Sequence, residues 1–250
     1  MMLSDLGTDL YLPAIEAADE AGADGSRPLY RDAIDALCIM QSIKAEVPDY
    51  NIILLRQEMD LFPHWFLGRE LGHDCTGAEV KMLDAVFALM IKNALEQPQV
   101  FVHRDYHSRN LMVTSDNNPG IIDFQDAVQG AVTYDLVSLL RDCYFKLPPD
   151  EVRHWVVYFR ARLIEQHRID PVDEETFMRW FDLMGLQRHL KCAGIFSRLH
   201  LRDGKEGYLG DIPLVIGYMK EVCTRYEDLA SFGGWLSEVV GPRLKSRLFE

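Results

Sequence analysis

The residues best placed to do chemistry lie in one stretch, His103-Arg104-Asp105-Tyr106-His107-Ser108-Arg109-Asn110, with Asp123-Phe124-Gln125 beginning 13 residues after Asn110. Short apolar or β-branched runs flank it: VFVHRD, NLMV and GIIDF. Asn118-Pro119-Gly120 supplies a turn between the last two. The spacing predicts a strand that delivers Asp105 into a tight loop, and a loop that returns Asn110 to a second strand. A hairpin then brings Asp123 back beside them. Two carboxylates and an amide oxygen converge in this way. Hard oxygen donors suit Mg²⁺, which completes its shell with water and substrate phosphates. A carboxylate not used for metal can orient or deprotonate an attacking hydroxyl.

The elements that must hold this stretch read as mostly helical. Apolar spacing of three and four predicts helices over 28–45, 76–97, 133–146, 150–168, 173–202 and 211–230. Thr76 with Glu79 forms a capping box at the start of the second. Residues 1–8 read as a short strand ending in a glycine turn, 13–28 as a connection or short helix, and 50–71 as a short helix with a loop. The fold class is α+β: a mostly helical body with a small β insert that carries the polar residues.

The loop HRDYHSRN and the segment IIDFQDA match the pattern H-R-D-x-x-x-x-N followed by D-F-G of protein-kinase-like enzymes. His107, and DFQ in place of DFG, resemble the aminoglycoside phosphotransferase and choline kinase-like family, which phosphorylates small molecules. The stretch from Tyr134-Asp135-Leu136 to Tyr144, with LFPHWFL and RHLKCAGIFSRLHLRDGK, is similar to bacterial cell-wall kinases of N-acetylmuramate and N-acetylglucosamine. The resemblance implies an ATP-dependent phosphotransferase acting on a small-molecule hydroxyl, an amino sugar of cell-wall recycling. An aminoglycoside or choline-like amine is the alternative acceptor. It also implies roles: Asp105 as base or hydroxyl-orienting residue, Asn110 and Asp123 holding Mg²⁺ between the phosphates of ATP, and His103 and Arg104 bracing the loop.

Other residues carry two readings each. His107 is a loop brace or a substrate contact. Asp126 is a turn residue or lies near the metal. Asp135 favours a helix N-terminus by its charge or braces the catalytic loop. Trp65, with Phe62 and Phe66, stacks on a sugar or packs between helices. Glu58 and Asp60 bind sugar hydroxyls or are solvated acids. Arg188, His189 and Lys191 form the polar face of a helix or meet a carboxylate-bearing sugar.

The family resemblance also implies an N-terminal lobe with a Gly-rich loop and a strand lysine. Before His103 the lysines are Lys44, Lys81 and Lys92, all on predicted helices, and no G-x-G-x-x-G occurs. The opening strand, with Ser4, Asp5 and Leu6, resembles the hinge that joins two lobes. The expectation is a C-terminal lobe alone: a hinge-like strand over 1–8, then one lobe over 9–250 with catalytic loop 103–110 and metal segment 121–126. An inactive lobe or substrate-binding module is the reading from another class, and the uncovered cleft floor would favour self-association.

Composition bounds the partners. The 250 residues carry a formal charge of -13, from 39 acidic against 26 basic side chains, which argues against nucleic acid. No apolar run is long enough for a membrane span. The five cysteines show no C-x-x-C spacing and read as small core residues of a reduced, cytoplasmic protein.

Overall fold

The computed structural model describes residues 5–20, 22 and 25–248. In chain order the regular elements are α1 (Tyr11–Glu20), α2 (Arg27–Met40), α3 (Ile52–Met59), a π-helical segment Phe62–Glu70 and α4 (Gly77–Glu96). Four short strands follow: β1 (Gln99–Val102), β2 (Leu111–Met112), β3 (Gly120–Ile121) and β4 (Val128–Ala131). The rest is helical again: α5 (Tyr134–Leu140), α6 (Pro149–Glu165), α7 (Glu174–Asp203), α8 (Ile212–Cys223), α9 (Ala230–Trp235) and α10 (Gly241–Leu248).

The chain divides into two compact units, residues 1–49 with 97–181 and residues 50–96 with 182–250. In the first unit the strands pair as two antiparallel ladders. β1 pairs with β4 in the register Gln99↔Ala131 to Val102↔Val128, and β2 pairs with β3 through Leu111↔Ile121 and Met112↔Gly120. The segment before α1 is stitched along β2, by a Leu10↔Met112 bridge and by Val113 N–H donating to Asp9 O at 2.7 Å. β4 is a strand the apolar pattern did not announce, because Gly130 and Ala131 have low strand propensity. It forms because β1 offers it a ladder.

Residues 5–8, expected to be part of a strand over 1–8, have no ladder partner. Gly7 adopts φ 80° and donates its N–H to Asp5 Oδ1 at 2.9 Å, so this part of the chain turns. Leu6 instead covers Gly120, where any Cβ would meet its side chain. Ser4 lies outside the described residues.

In the second unit the capping box at the head of α4 is formed in full. Glu79 N–H donates to Thr76 Oγ1 at 3.3 Å, and Thr76 N–H donates to Glu79 Oε2 at 2.7 Å. Asn51 caps α3 through the N–H groups of Ile53 and Leu54. Within 50–71, expected as a short helix with a loop, residues 62–70 wind as a π-helix in which Phe62 and Phe66 are fully buried with ring centroids 5.2 Å apart.

The middle of α7 is buried on every face, so Arg188, His189 and Lys191 are core residues rather than a solvated polar face. A helix enclosed all round cannot be recognised from a one-sided apolar stripe. Its Gly194 passes so close to Leu61 that a Cβ would overlap the Leu61 backbone. Among the cysteines, Cys38, Cys143, Cys192 and Cys223 are buried, but Cys75 is half-exposed and so departs from the core expectation.

Candidate active site

The loop 103–110 follows β1 directly and is held from three directions within the first unit. From α5, the fully buried Asp135 carboxylate accepts the backbone N–H of His103 at 2.7 Å and of Arg104 at 3.0 Å. A buried carboxylate satisfied by two N–H donors makes charge-assisted bonds that fix loop geometry. From just past α5, Asp142 accepts the Ser108 N–H at 3.0 Å and also its hydroxyl. From the N-terminal segment, Leu12 N–H donates to Ser108 O at 3.1 Å.

His103 lies inside this frame and is fully buried. Its Nδ1 accepts the Asp105 N–H at 3.3 Å, so Nε2 carries the proton and donates it to Ile122 O at 3.0 Å. Burial pushes the imidazole pKa below its ordinary value, which keeps the ring neutral and the tautomer single. Arg104 takes φ 77°, a left-handed conformation that turns the chain sharply before Asp105, and its Nη1 donates to Asp126 O at 3.2 Å. Asp126 thus enters through its backbone carbonyl, while the residue itself is exposed.

Asp105 is half-buried at the bend. Its carbonyl accepts the His107 N–H at 3.0 Å and the Asn110 Nδ2 at 3.0 Å, so the loop closes on itself beneath the carboxylate. With its amide nitrogen committed to Asp105, Asn110 offers its amide oxygen as the atom for a cation. Asn110 O accepts the Ile122 N–H at 3.2 Å, and Asp123 follows next in the chain. Asp123 is exposed, takes φ 68°, and accepts from Gln125 Nε2 at 2.6 Å. Asn110 therefore links Asp105, through its side-chain amide, with the strand leading to Asp123, through its backbone carbonyl, and the donor set is hard oxygen throughout. These residues fit a Mg²⁺ ion that keeps waters and phosphate oxygens in its shell.

His107 packs edge-on against Tyr144 with centroids 5.5 Å apart, and the Arg109 guanidinium lies 3.5 Å from the centre of the same ring. Tyr106 is fully buried and donates its hydroxyl to Ala33 O at 2.7 Å, anchoring the loop to α2. Burial holds its phenol far above the ordinary range.

The remaining acceptor candidates, Glu58, Trp65 and Arg188, belong to the second unit. Glu58 is not a solvated acid. It is buried, pairs with Lys191 Nζ at 3.1 Å, and accepts from Tyr50 Oη and from Gln187 Nε2 at 3.3 Å. Asp60 is on the surface, paired with Arg56 at 2.8 Å. Trp65 is half-buried, with the Arg69 guanidinium 4.6 Å from its ring centre. Arg188 is 3% exposed. Sequence reasoning gave no role to Asp142. The signal available was its distance of seven residues from Asp135, which puts both on one side of the helix expected over 133–146.

A family model described as "Phosphotransferase enzyme family" matches residues 8–172. The chain is 45% identical over 245 residues to an N-acetylmuramate/N-acetylglucosamine kinase of Pseudomonas putida, covering 96% of this chain and 69% of that protein. It is 38% identical over 243 residues to the protein of the same name from Neisseria meningitidis serogroup B, covering 96% and 72%. In structure it is similar to Plasmodium vivax ethanolamine kinase, with a TM-score of 0.58 at 12% identity over 87% of this chain and 64% of that one. The ADP-bound aminoglycoside phosphotransferase APH(2'')-Ib gives a TM-score of 0.52 at 15% identity, over 88% and 71%. At such identities these two likenesses speak for the protein-kinase-like fold alone. With a family match over most of its length and relatives of this identity, the chain belongs to the phosphotransferase enzyme family, and by that membership it is an ATP-dependent small-molecule kinase.

Proposed function

We propose that the chain transfers the γ-phosphoryl group of ATP to the anomeric hydroxyl of N-acetylmuramate and N-acetylglucosamine. The observation that carries the chemistry is the hairpin in which Asn110 bonds both the Asp105 carbonyl and the strand leading to Asp123. The choice of sugar rests on the relatives 45% and 38% identical to this chain, both N-acetylmuramate/N-acetylglucosamine kinases. Asp105 accepts the hydroxyl proton as the sugar oxygen bonds to the γ-phosphorus. The bond from that phosphorus to the β–γ bridging oxygen breaks, and ADP leaves. Asn110 Oδ1 and the Asp123 carboxylate are the groups that would hold Mg²⁺, which when bound neutralises phosphate charge.

Of the acceptor candidates, we retain His107, which lies in the catalytic loop itself, as a sugar contact; Trp65 and Arg188 belong to the second unit. Glu58 is engaged by Tyr50, Gln187 and Lys191, which supports a scaffolding role. Among the described residues, the strands β1–β4 carry no lysine. The free cysteines support a reducing compartment, the cytoplasm.

The test is ³¹P NMR of the purified chain with ATP, Mg²⁺ and each sugar. A sugar 1-phosphate signal is expected, and Asp123→Ala should lose metal-dependent nucleotide binding. Turnover of a cationic amine with neither sugar phosphorylated would establish the second reading, which the charge of -13 favours. Nucleotide binding without turnover of any acceptor would favour a binding module.

A further inference from the structure

In the second unit, three side chains of different chemistry meet at the head of α4: His73, Cys75 and Glu79. Each offers one ligand atom, and the three atoms lie within 4.8 Å of one another. None of them takes part in the phosphoryl-transfer chemistry. His73 Nε2 and Glu79 Oε1 are 3.1 Å apart. A tetrahedral zinc with bonds of about 2.0–2.1 Å to nitrogen and oxygen places two such ligands about 3.3 Å apart. The present separation is thus close to that of two ligands sharing a metal, with a proton lying between them. The sulfur has to approach by no more than about 1 Å, since a Zn–S bond of about 2.3 Å puts it about 3.6 Å from its neighbours. Cys75 sits in the loop before the helix, where this is a side-chain rotation rather than a change of fold.

The groups behind these three atoms are placed as supports. Glu79 Oε2 is fixed by the Thr76 N–H at 2.7 Å, and Oε1 accepts the Trp235 indole N–H at 2.6 Å. One lone pair of Oε1 therefore goes to an outer donor, and the other points at His73. Outer partners that orient a ligating carboxylate are a regular part of metal sites. The His73 backbone N–H donates to Leu67 O at 2.9 Å, and Gly72 before it takes φ 60°, so the loop is tied down on its approach. The opposing term is the positive end of the α4 dipole, which disfavours a cation. A thiolate and a carboxylate supply two negative charges against it.

We propose that His73, Cys75 and Glu79 bind a zinc-type divalent transition metal in a three-ligand site with water at the fourth position. The mixed nitrogen, sulfur and oxygen set selects zinc or cobalt over magnesium and calcium, which require oxygen alone.

The probe is Co²⁺, titrated into the full 250-residue chain. One equivalent should bind with sulfur-to-cobalt charge-transfer absorption in the near ultraviolet and tetrahedral d–d bands in the visible, and Zn²⁺ should displace it. Cobalt at Asn110 and Asp123 would show no sulfur band, which separates the two sites. Cys75→Ser should abolish the charge-transfer band. Trp235→Phe keeps every ligand and should weaken Zn²⁺ about 10-fold in chelator competition, by loss of the outer donor. Absence of the sulfur band in the unmodified chain, or its persistence in Cys75→Ser, overturns the proposal. So does unchanged Zn²⁺ affinity in both variants.

Discussion

The Asp142 carboxylate holds Ser108 twice, through its backbone N–H at 3.0 Å and through its hydroxyl. Both residues are buried, so neither bond is replaced by water when it is lost. Asp142→Ala leaves two donors of the catalytic loop without an acceptor and should cost about 2–4 kcal/mol. Urea unfolding measures it, and Asp142→Asn, which keeps one acceptor oxygen, should fall between. A shift in denaturation midpoint within error of the unmodified chain would remove the brace from the account.

At Asp105 the hydrogen bonds that close the loop run to the backbone carbonyl. Asp105→Ala should therefore leave thermal stability and nucleotide binding largely unchanged while kcat falls about 10²–10⁴-fold, the range for loss of a positioned general base. A variant that loses nucleotide binding in parallel would mean a structural rather than a catalytic part.

His103 gives the site a pH dependence with a defined sign. Its folded-state pKa is depressed by burial, so the neutral ring contributes stability that is fully present above the unfolded value of about 6.5. That stability is lost as pH falls below this value toward the folded pKa. Denaturation midpoints measured from pH 8 to pH 5 should drop, and His103→Gln should flatten the slope over that interval. An equally steep slope in the variant would assign the dependence to another group.

Glu58 and Lys191 make a paired buried charge, so removing one partner strands the other. Lys191→Met should destabilise the protein by about 3–5 kcal/mol. Pairing it with Glu58→Gln should recover part of the loss, and the double-mutant cycle by calorimetry measures how much. Additive losses would show that the two residues act independently.

What the sequence made legible was whatever repeats locally. The Thr76–Glu79 box, the apolar stripe of α4 and the loop from His103 to Asn110 depend on residues a few positions apart, and their spacing carries them. β4 was hidden because its strand character comes from its partner, not from Gly130 or Ala131. The placement of Arg188 and Lys191 was hidden for a related reason. Charge predicts solvent only when a helix has a solvent side, and the middle of α7 has none. Asp135 stood between two readings because helix-end electrostatics and a brace on His103 and Arg104 ask for the same residue at the same position. Only the hydrogen-bond partners separate them.

The contact of α7 with Leu61 leaves Gly194 no room for even a methyl group. Interiors packed to this density transmit such an overlap to the backbone instead of absorbing it. A saturation library across 190–198, selected for folded protein, should therefore return glycine at 194 almost without exception while its helical neighbours drift. Position 194 is in that sense a fixed point about which the rest of this helix is free to vary over generations.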